Sequence, residues 1–118
     1  MFCQRDRERL IDEPLVHAIR DGYPVAPGHT LVISNRHVAS YFEATAPERA
    51  AIWAAVEQVK AELDAELRPQ GFNVGFNDGA AAGQTVMHLH VHVIPRFAGD
   101  VADPRGGVRG VIPSKQRY

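Results

Sequence analysis

Several classes of protein are excluded by what this sequence has little of. It contains one cysteine, Cys3, in 118 residues, so it cannot form an internal disulfide or a zinc site built from several thiolates. Its longest apolar run covers residues 50–56, far short of the roughly 18 residues that a membrane-spanning helix needs. Residues 1–8 hold no apolar stretch, so we expect no signal peptide. These features favour a reducing, cytoplasmic setting and no membrane partner.

The chain also lacks a charge excess of either sign. Its 13 Lys and Arg residues oppose 14 Asp and Glu residues, which leaves a formal charge of −1 at pH 7. A protein that binds nucleic acid through its phosphates usually carries a marked basic excess, so we expect no nucleic-acid partner. With 45% hydrophobic and 23% charged residues, the composition is typical of one globular domain. We divide the chain into an N-terminal segment (1–14), a domain core (15–97) and an irregular C-terminal tail (98–118).

The clearest secondary-structure signal is a helix over residues 46–67. Thr45 and Glu48 have the spacing of a capping box, in which each side chain bonds the other residue's backbone N–H. Pro47 fits the first turn, where its missing N–H has no helical partner, and Pro69 predicts the end of the helix. Apolar residues recur every three or four positions and give the helix one apolar face, made of Ile52, Val56, Val59, Leu63 and Leu67.

Four other segments have the composition or alternation of β-strands, namely residues 15–20, 29–33, 72–77 and 86–94. The last two are joined by a loop too short for a helical crossover, so we expect them to be antiparallel. Pro95 predicts the end of the last strand. Strands that are mostly consecutive, together with one long helix, indicate the α+β class.

Three histidines are crowded into the last predicted strand, at His88, His90 and His92. Because side chains alternate across a strand, these three should share one face at intervals of roughly 6.6 Å. The other face is apolar and should pack against the helix. A row of imidazoles makes a poor core, so it is a candidate for chemistry.

Three interpretations of this row remain open from the residues alone. The histidines could decorate a solvated face of the sheet, or two of them could bind one metal ion. No carboxylate or thiolate stands nearby in the sequence, which weakens the metal interpretation. Thirdly, a neutral imidazole, whose unperturbed pKa is roughly 6.5, could act as a nucleophile.

The loop before the strand favours the nucleophile. Gly79 and Gly83 allow backbone conformations that point N–H groups at an anion. Gln84 and Thr85 add a side-chain amide and a hydroxyl where the loop enters the strand. Donors beside a nucleophile suit a phosphoryl centre, because charge builds up on its oxygens during reaction.

The order of residues in this region resembles the histidine triad family. Residues 88–94 follow the family's motif, His-φ-His-φ-His-φ-φ with φ apolar, and residues 83–87 are similar to its Gly-Gln-[Ser/Thr]-Val lead-in. Residues 27–33 resemble the strand that enters the family's nucleotide pocket. The resemblance covers about residues 15–100. The stretch 82–100, with Pro95-Arg96 and Gly99-Asp100, looks closer to the fragile-histidine-triad branch, which cleaves dinucleoside polyphosphates, than to the phosphoramidase branch.

The resemblance implies roles for the histidines and their lead-in. His90 would attack the α-phosphorus of a nucleotide, and water would release a nucleoside monophosphate from the resulting nucleotidyl-histidine. His92 would bond a phosphate oxygen or the bridging atom of the scissile bond. His88 would help to fix the tautomer of the nucleophile, together with His29. Gln84 would contact the phosphates and the leaving group.

The resemblance also implies a substrate-binding set and an architecture. The set comprises Thr85, Gly83 and Asn77 near the phosphates, Asp21 at the ribose hydroxyls, His29 beside the catalytic histidines, and Ile19 and Leu31 around the base. The implied architecture is an antiparallel sheet of about five strands with one main helix, in a homodimer. No cofactor is implied, and the expected partner is a small nucleotide.

The sequence departs from the family's pattern in two places. Many bacterial members open with Cys-x-x-Cys and bind a structural zinc with the help of a histidine. Here only Cys3 is present, and His37 could be left over from that site, so we expect no bound metal. The tail has no counterpart in the pattern, and its Arg105 and Arg109 could reach a polyphosphate or lie in solvent.

The expected function is therefore a nucleotide hydrolase acting on a phosphoanhydride or a phosphoramidate, such as diadenosine tri- or tetraphosphate. One alternative is a nucleotidyl transferase, in which phosphate or a sugar phosphate takes the place of water. The other is a nucleotide-binding module with little catalysis, and the presence of His90 argues against it.

Overall fold

Five strands and one long helix make up the regular part of the chain. The computed structural model describes residues 8–118. The strands are β1 (Ile11–Asp12), β2 (Val16–Arg20), β3 (Thr30–Ser34), β4 (Gly71–Gly75) and β5 (His90–Arg96), and the helix α1 (Ala46–Leu67) connects β3 to β4. Neighbouring strands are all antiparallel and follow the order β1-β2-β3-β5-β4. The predicted α+β class, with about five antiparallel strands and one main helix, is confirmed.

Helix α1 has the predicted bounds and the predicted cap. The Thr45 hydroxyl accepts a hydrogen bond from the Glu48 N–H, and the Glu48 carboxylate accepts one from the Thr45 N–H. Arg36 donates two hydrogen bonds to the same carboxylate. At the other end, Arg68 takes the left-handed conformation with φ 50°. Leu67 is 38% exposed, so the buried apolar face ends one turn earlier than expected.

The core lies between α1 and one face of the sheet. The residues that form it are all buried and come from every strand except β4: Ile11, Val16, Ala18, Val32, Val91 and Val93 from the sheet, and Ile52, Ala55, Val56, Val59 and Leu63 from the helix. A smaller buried cluster consists of Ile19, Leu31 and Ile33. Because these residues alternate with Ala18 and Val32 along β2 and β3, they face the opposite side of the sheet.

Strand β5 differs from its prediction at both ends. It begins at His90, because the Leu89 N–H donates to the Val38 carbonyl and the chain bends away before that point. It continues through Pro95, which was expected to end it. Val93 is the last residue of β5 that pairs with β3, so β3 requires no backbone hydrogen bond from Pro95.

Several short elements have no counterpart in the predicted elements, including the 3₁₀ turns Tyr41–Glu43 and Ala80–Ala82. Strand β1 lies within the N-terminal segment and is two residues long, too short to show a period. In the tail, residues 107–111 and 113–115 form two short 3₁₀ turns. No helix within residues 8–118 has both the length and the apolar character needed to cross a bilayer.

Candidate active site

The pairing of β3 with β5 determines which side chains stand beside the histidines. Leu31 pairs with His92, and Ile33 pairs with His90. Both imidazoles therefore lie on the sheet face opposite α1, next to the smaller apolar cluster. Their ring centroids are 5.1 Å apart, and both rings are half-buried.

A cavity of about 560 Å³ opens in front of these two rings. Its lining includes most of the residues expected at the site, namely His90, His92, Asp21, Leu31, Asn77, Gly83, Gln84 and Thr85. Three expected residues, His88, His29 and Ile19, do not line it. Ile19 lies beneath the cavity in the buried cluster with Leu31. The volume is within the roughly 300–1,000 Å³ that is usual for small-molecule sites.

The tautomer of His90 follows from one hydrogen bond. Its Nδ1 lies 2.8 Å from the backbone carbonyl oxygen of His88. Because a carbonyl oxygen only accepts, Nδ1 must carry the proton. A neutral imidazole has a single N–H, so Nε2 of His90 holds the lone pair. The nitrogen that can attack an electrophile is thus fixed by the backbone of the preceding segment.

His92 is held in the opposite tautomer by a relay of two hydrogen bonds, which runs from the backbone N–H of Val25 through His29 to His92. The N–H of Val25 donates to Nδ1 of His29 over 3.2 Å, so the proton of His29 is on Nε2. That Nε2 lies 2.9 Å from Nδ1 of His92, which must accept. The remaining ring nitrogen of His92, Nε2, is therefore an N–H donor.

The electrostatics of the relay keep both of its rings neutral. The pKa of His92 is lowered to about 4, first by burial and then by the neighbouring His90 and His29. Burial also lowers the pKa of His29, although the Asp21 carboxylate acts against this effect. Oδ2 of Asp21 lies 3.4 Å from Nε2 of His29. At pH 7 His92 is thus a hydrogen-bond donor without a positive charge.

His88 is placed differently from the other two members of the motif. It precedes β5 and is buried, with its Nε2 2.6 Å from the Ser34 carbonyl oxygen. Its Nδ1 lies 3.3 Å from Nδ1 of His37, and the two rings meet edge to face. The expected row of three rings on one face is therefore a pair, because the bend before β5 turns the His88 ring inward. His88 contacts His90 through its backbone carbonyl, and His29 contacts His92 instead of His88.

The glycine loop has the expected backbone but uses its donors internally. Gly79 and Gly83 take φ values of 93° and 96°, which residues with a Cβ rarely adopt. The N–H groups of Ala82, Gly83 and Gln84 donate to carbonyls of residues 79–80. The expectation that such groups would face an anion is not met at these three positions.

Gln84 is enclosed by the loop that it belongs to. Its Oε1 accepts from the Gly79 N–H at 2.8 Å, and its Nε2 donates to the carbonyls of Ala39 and Val86. The side chain is buried although it borders the cavity. In this structure Gln84 holds the loop against the segment after β3.

One group within residues 8–118 has the geometry to hold a metal ion. One ligand atom each from Asp21, His29 and His92 lies within 4.8 Å of the others, and a carboxylate with two imidazoles is a donor set that zinc accepts. The two imidazole rings of this group, His29 and His92, are hydrogen-bonded to each other, so a metal ion bound to both would replace that hydrogen bond. Of the two residues considered as remnants of a structural zinc site, His37 bonds His88, and Cys3 lies outside the described residues.

Arg105 and Arg109 both interact with other groups of the tail. Arg109 donates to the carbonyls of Lys115 and Gln116, and its guanidinium lies 4.9 Å from the centroid of the Tyr118 ring. Arg105 is 3.6 Å from the Asp103 carboxylate. Neither arginine lines the cavity in front of the histidines.

Sequence reasoning missed two contributors to the site. Val25 acts through its backbone N–H, which leaves no trace in the side-chain pattern. Tyr23 lines the cavity and is 91% exposed, and a tyrosine in a turn carries no periodic signal. In the segment Asp-Gly-Tyr-Pro, the family resemblance pointed to Asp21 alone.

Comparison with known proteins shows a family match and relatives that carry different activity names. The HIT domain family matches residues 3–99. The chain is 41% identical over 87 residues to a protein of Mycobacterium tuberculosis named AP-4-A phosphorylase, which covers 73% of this chain and 45% of that protein. It is 34% identical over 94 residues to the Arabidopsis thaliana protein named bifunctional bis(5'-adenosyl)-triphosphatase/adenylylsulfatase FHIT, covering 80% of this chain and 52% of that protein. The chain thus spans about half the length of these curated relatives.

Solved structures show the same fold. A HIT family protein from Bacillus anthracis superimposes with a TM-score of 0.76 at 36% identity, over 80% of this chain and 67% of that one. The relation therefore holds for the three-dimensional arrangement as well as for the sequence.

Proposed function

This chain belongs to the HIT family, and we propose that it is a nucleotide hydrolase that cleaves at the α-phosphate of a nucleoside polyphosphate. One observation carries the proposal. The hydrogen bond from Nδ1 of His90 to the His88 carbonyl leaves the lone pair on Nε2, in a ring that lines the cavity. The adjacent ring, His92, offers a fixed N–H donor. A nucleophile beside a donor is the minimum that transfer of a phosphoryl group requires.

The first step forms a covalent intermediate on His90. Its Nε2 attacks the α-phosphorus, a P–N bond forms, and the bond from phosphorus to the bridging oxygen breaks with its electron pair on that oxygen. The Nε2–H of His92 donates a hydrogen bond to the departing oxygen. The His88 carbonyl, still bonded to Nδ1, stabilises the positive charge that develops on the His90 ring.

In the second step water attacks the same phosphorus. The P–N bond breaks, its electron pair returns to Nε2 of His90, and a proton from the water goes to solvent as the nucleoside monophosphate leaves. Two displacements at modest cost replace one that is difficult.

The neutral state of His92 favours one class of leaving group. A neutral imidazole donates a hydrogen bond but gives up no full proton near pH 7, and the pKa of the His92 ring is lowered to about 4. Phosphate and sulfate leave as stable anions, whereas an amine must gain a proton. The site therefore suits phosphoanhydrides and adenylyl sulfate better than phosphoramidates.

The remaining lining supports a nucleoside at the phosphate that is attacked. Leu31 provides an apolar wall for a base, with Ile19 packed behind it. The Asp21 carboxylate borders the same cavity and can accept hydrogen bonds from ribose hydroxyls. Asn77 and Thr85 add polar groups near the two imidazoles.

The test is a panel of substrates that share the adenylyl half. The protein is incubated with diadenosine triphosphate, diadenosine tetraphosphate, adenosine 5′-phosphosulfate and adenosine 5′-phosphoramidate, and the products are separated by chromatography. We expect AMP from the first three and slower release from the phosphoramidate. Absence of AMP from every substrate would overturn the proposal.

The same panel decides between hydrolysis and transfer. A relative named as a phosphorylase makes phosphate a candidate acceptor in place of water. With diadenosine tetraphosphate and excess inorganic phosphate, phosphorolysis gives ADP and ATP, whereas hydrolysis gives AMP and ATP. We expect AMP to be formed beside the ATP, with little ADP. Predominant ADP would assign a transferase instead, through the same His90 intermediate.

We also propose that the chain is a homodimer in the cytoplasm. Strand β4 is an edge of the five-stranded sheet, and an edge strand is a common place for pairing with another chain. An aromatic cluster lies near it, made of Tyr41, Phe42, Trp53 and Phe76, and Phe42 is 72% exposed. Sedimentation velocity at micromolar concentration should give twice the chain mass, and a monomer would contradict the dimer.

A further inference from the structure

A second cavity lies on the far side of His92 and has no role in the chemistry described above. It has a volume of about 370 Å³ and is lined mainly by apolar groups, including Val25 before β3, Phe76 after β4, Ile94 of β5, and Val108 and Val111 of the tail. His92 and Asn77 line both this cavity and the one in front of His90. A molecule that crosses this shared wall would pass directly by the His92 ring.

The lining of the second cavity is mainly apolar, with His29, Asn73, Asn77 and His92 as its polar residues, and it carries no Lys or Arg. Three of its valines are largely exposed, with Val25 at 72%, Val108 at 69% and Val111 at 75%. Exposed apolar side chains gathered around one cavity mark a surface that binds something. The absence of cations from the lining indicates that the group bound here is apolar and not a free phosphate chain.

The tail is built to hold these valines in place. Arg109 ties the first 3₁₀ turn to the carbonyls of Lys115 and Gln116. Gly106, at φ 92°, lies so close to the Gln116 carbonyl that a Cβ there would collide with it. Gly107 lies against Asn73 of β4, which brings the turn onto the edge of the sheet. Val108 and Val111 are thereby directed into the cavity that His92 borders.

We infer that this second cavity is a leaving-group subsite, which receives the distal nucleobase of a dinucleoside polyphosphate. The inference rests on the proposed function and adds to it the residues that choose the leaving group. His90 attacks from the first cavity, and His92 stands between the two cavities. The scissile bond thus lies at the wall, the adenylyl half stays with His90, and the departing half extends past His92 towards Val108 and Val111. A flat, apolar base fits the lining that this half meets.

The experiment compares two substrates that differ only beyond the scissile bond. Diadenosine triphosphate carries a distal base, whereas adenosine 5′-phosphosulfate has a leaving group of similar charge type without one. The variant Val111→Asp introduces a charge into the subsite, and Ile112→Asp is its matched control, since Ile112 is 56% exposed and lines neither cavity. Both positions are exposed, so neither change should prevent folding.

The expected result is a change in substrate preference. Val111→Asp should lower kcat/KM for diadenosine triphosphate by about tenfold, the scale on which apolar pockets discriminate. It should leave kcat/KM for adenosine 5′-phosphosulfate within about twofold, and Ile112→Asp should leave both unchanged. An equal loss on the two substrates, no loss on either, or the same loss in Ile112→Asp would overturn the subsite. A shift of Val111→Asp from dimer to monomer without a change in preference would assign the patch to a second copy instead.

A binding measurement separates this inference from the proposed hydrolase activity. A diadenosine triphosphate analogue with methylene bridges in place of the bridging oxygens is titrated into the protein, and methyl resonances are followed by NMR. Of Leu31, Val108 and Val111, we expect AMP to shift only Leu31, and the analogue to shift all three. If the analogue shifts only Leu31, the subsite is wrong. If it shifts all three while no substrate is cleaved, the subsite stands and the hydrolase proposal fails.

Discussion

The two faces of strand β5 differ in burial and in the interactions that hold their side chains in place. Val91 and Val93 are fully buried against α1, while His90 and His92, one residue away in each case, line a cavity. The valine face is stabilised by the hydrophobic effect, which is non-directional and therefore tolerates small shifts of the side chains. The histidine face depends on individual hydrogen bonds. A strand separates these two demands because consecutive side chains point to opposite sides.

The histidine face is anchored at backbone groups on both of its sides. The His88 carbonyl fixes His90, and the Val25 N–H fixes His29 and, through it, His92. Backbone groups cannot titrate or change rotamer, so they impose opposite tautomers on two rings of the same type. The comparison therefore predicts that substitutions on one face act on catalysis and those on the other act on stability.

The largest effect should come from His90→Ala. Removal of the nucleophile should lower kcat by roughly 10⁴-fold or more, because the covalent path is lost while base, ribose and phosphate contacts remain. The adenylate trapped by rapid quench should vanish, and added imidazole should restore part of the activity by occupying the space of the ring. The midpoint of thermal unfolding should stay close to that of the wild type.

A variant that kept most of its activity would separate His90 from the chemistry. The same conclusion would follow if the trapped adenylate mapped to another residue. A large fall in stability would instead break the contrast between the two faces, since it would show that the His90 ring supports the fold.

His92→Ala should have the next largest effect. It removes one preorganised donor to the departing oxygen, which costs about 10²–10³ in rate. Because this hydrogen bond strengthens as charge develops, the loss should appear in kcat with little change in KM. Steady-state kinetics with diadenosine triphosphate measure both constants, and a loss confined to KM would show that His92 only binds the ground state.

The sequence predicts the packing of α1 against Val91 and Val93, which we call the burial face of β5, more fully than it predicts the arrangement of the histidine face. The bounds of α1 and its capping box follow from local rules, because helix periodicity and the Thr45–Glu48 spacing act within a few residues. The nucleophile and its neighbour could be chosen from the motif. The position of His88 could not, because it depends on where the Leu89 N–H finds its partner, Val38, far away in the chain.

The second cavity shows the same limit. Val108 and Val111 lie in a tail without any period, and only the three-dimensional structure brings them beside His92. Gln84 is a similar case. Its type and place in the lead-in point to phosphate contacts, while its hydrogen bonds to Gly79, Ala39 and Val86 come from the fold of the loop.

On the burial face, Val91→Ala should destabilise the protein without affecting chemistry. The side chain is fully buried, so the loss of two methyl groups and the small cavity left behind should cost about 2 kcal/mol of unfolding free energy. The value of kcat should stay within about twofold of the wild type. Urea denaturation measures the loss, and Val101→Ala, at a position 47% exposed, is the matched control that should change little. A tenfold fall in kcat would show that the two faces are coupled.

The smallest effect is the dependence of stability on pH, and between about pH 6.5 and 4.5 we expect it to arise mainly from the histidine face. The pKa of His92 is about 4 in the folded protein against an ordinary 6.5, mainly because of burial, and the pKa of His29 is shifted in the same direction. As pH falls below about 6.5, the unfolded chain takes up protons that the folded chain refuses. The unfolding free energy should therefore be constant above that pH and decline towards pH 4. Part of His92 is exposed, so the slope should stay well below the roughly 1.4 kcal/mol per pH unit of one full proton.

The two carboxylates with lowered pKa values, Glu48 and Asp100, affect stability mainly below the pH range in which His92 does. The pKa values of Glu48 and Asp100 are lowered to about 2, chiefly by hydrogen bonds from Arg36 and Arg96, so their contributions are lost only below pH values of about 4.5 and 3.8. Urea denaturation between pH 7.5 and 4.5 should give a shallower decline for His92→Gln than for the wild type, since the substituted residue binds no proton. Val91→Ala should give a curve that is lower but parallel to the wild type, because a methyl group lost from the other face changes stability without changing proton uptake. Equal slopes in the wild type and His92→Gln would mean that His92 is not held neutral by its surroundings, and the argument for an anionic leaving group would lose its basis.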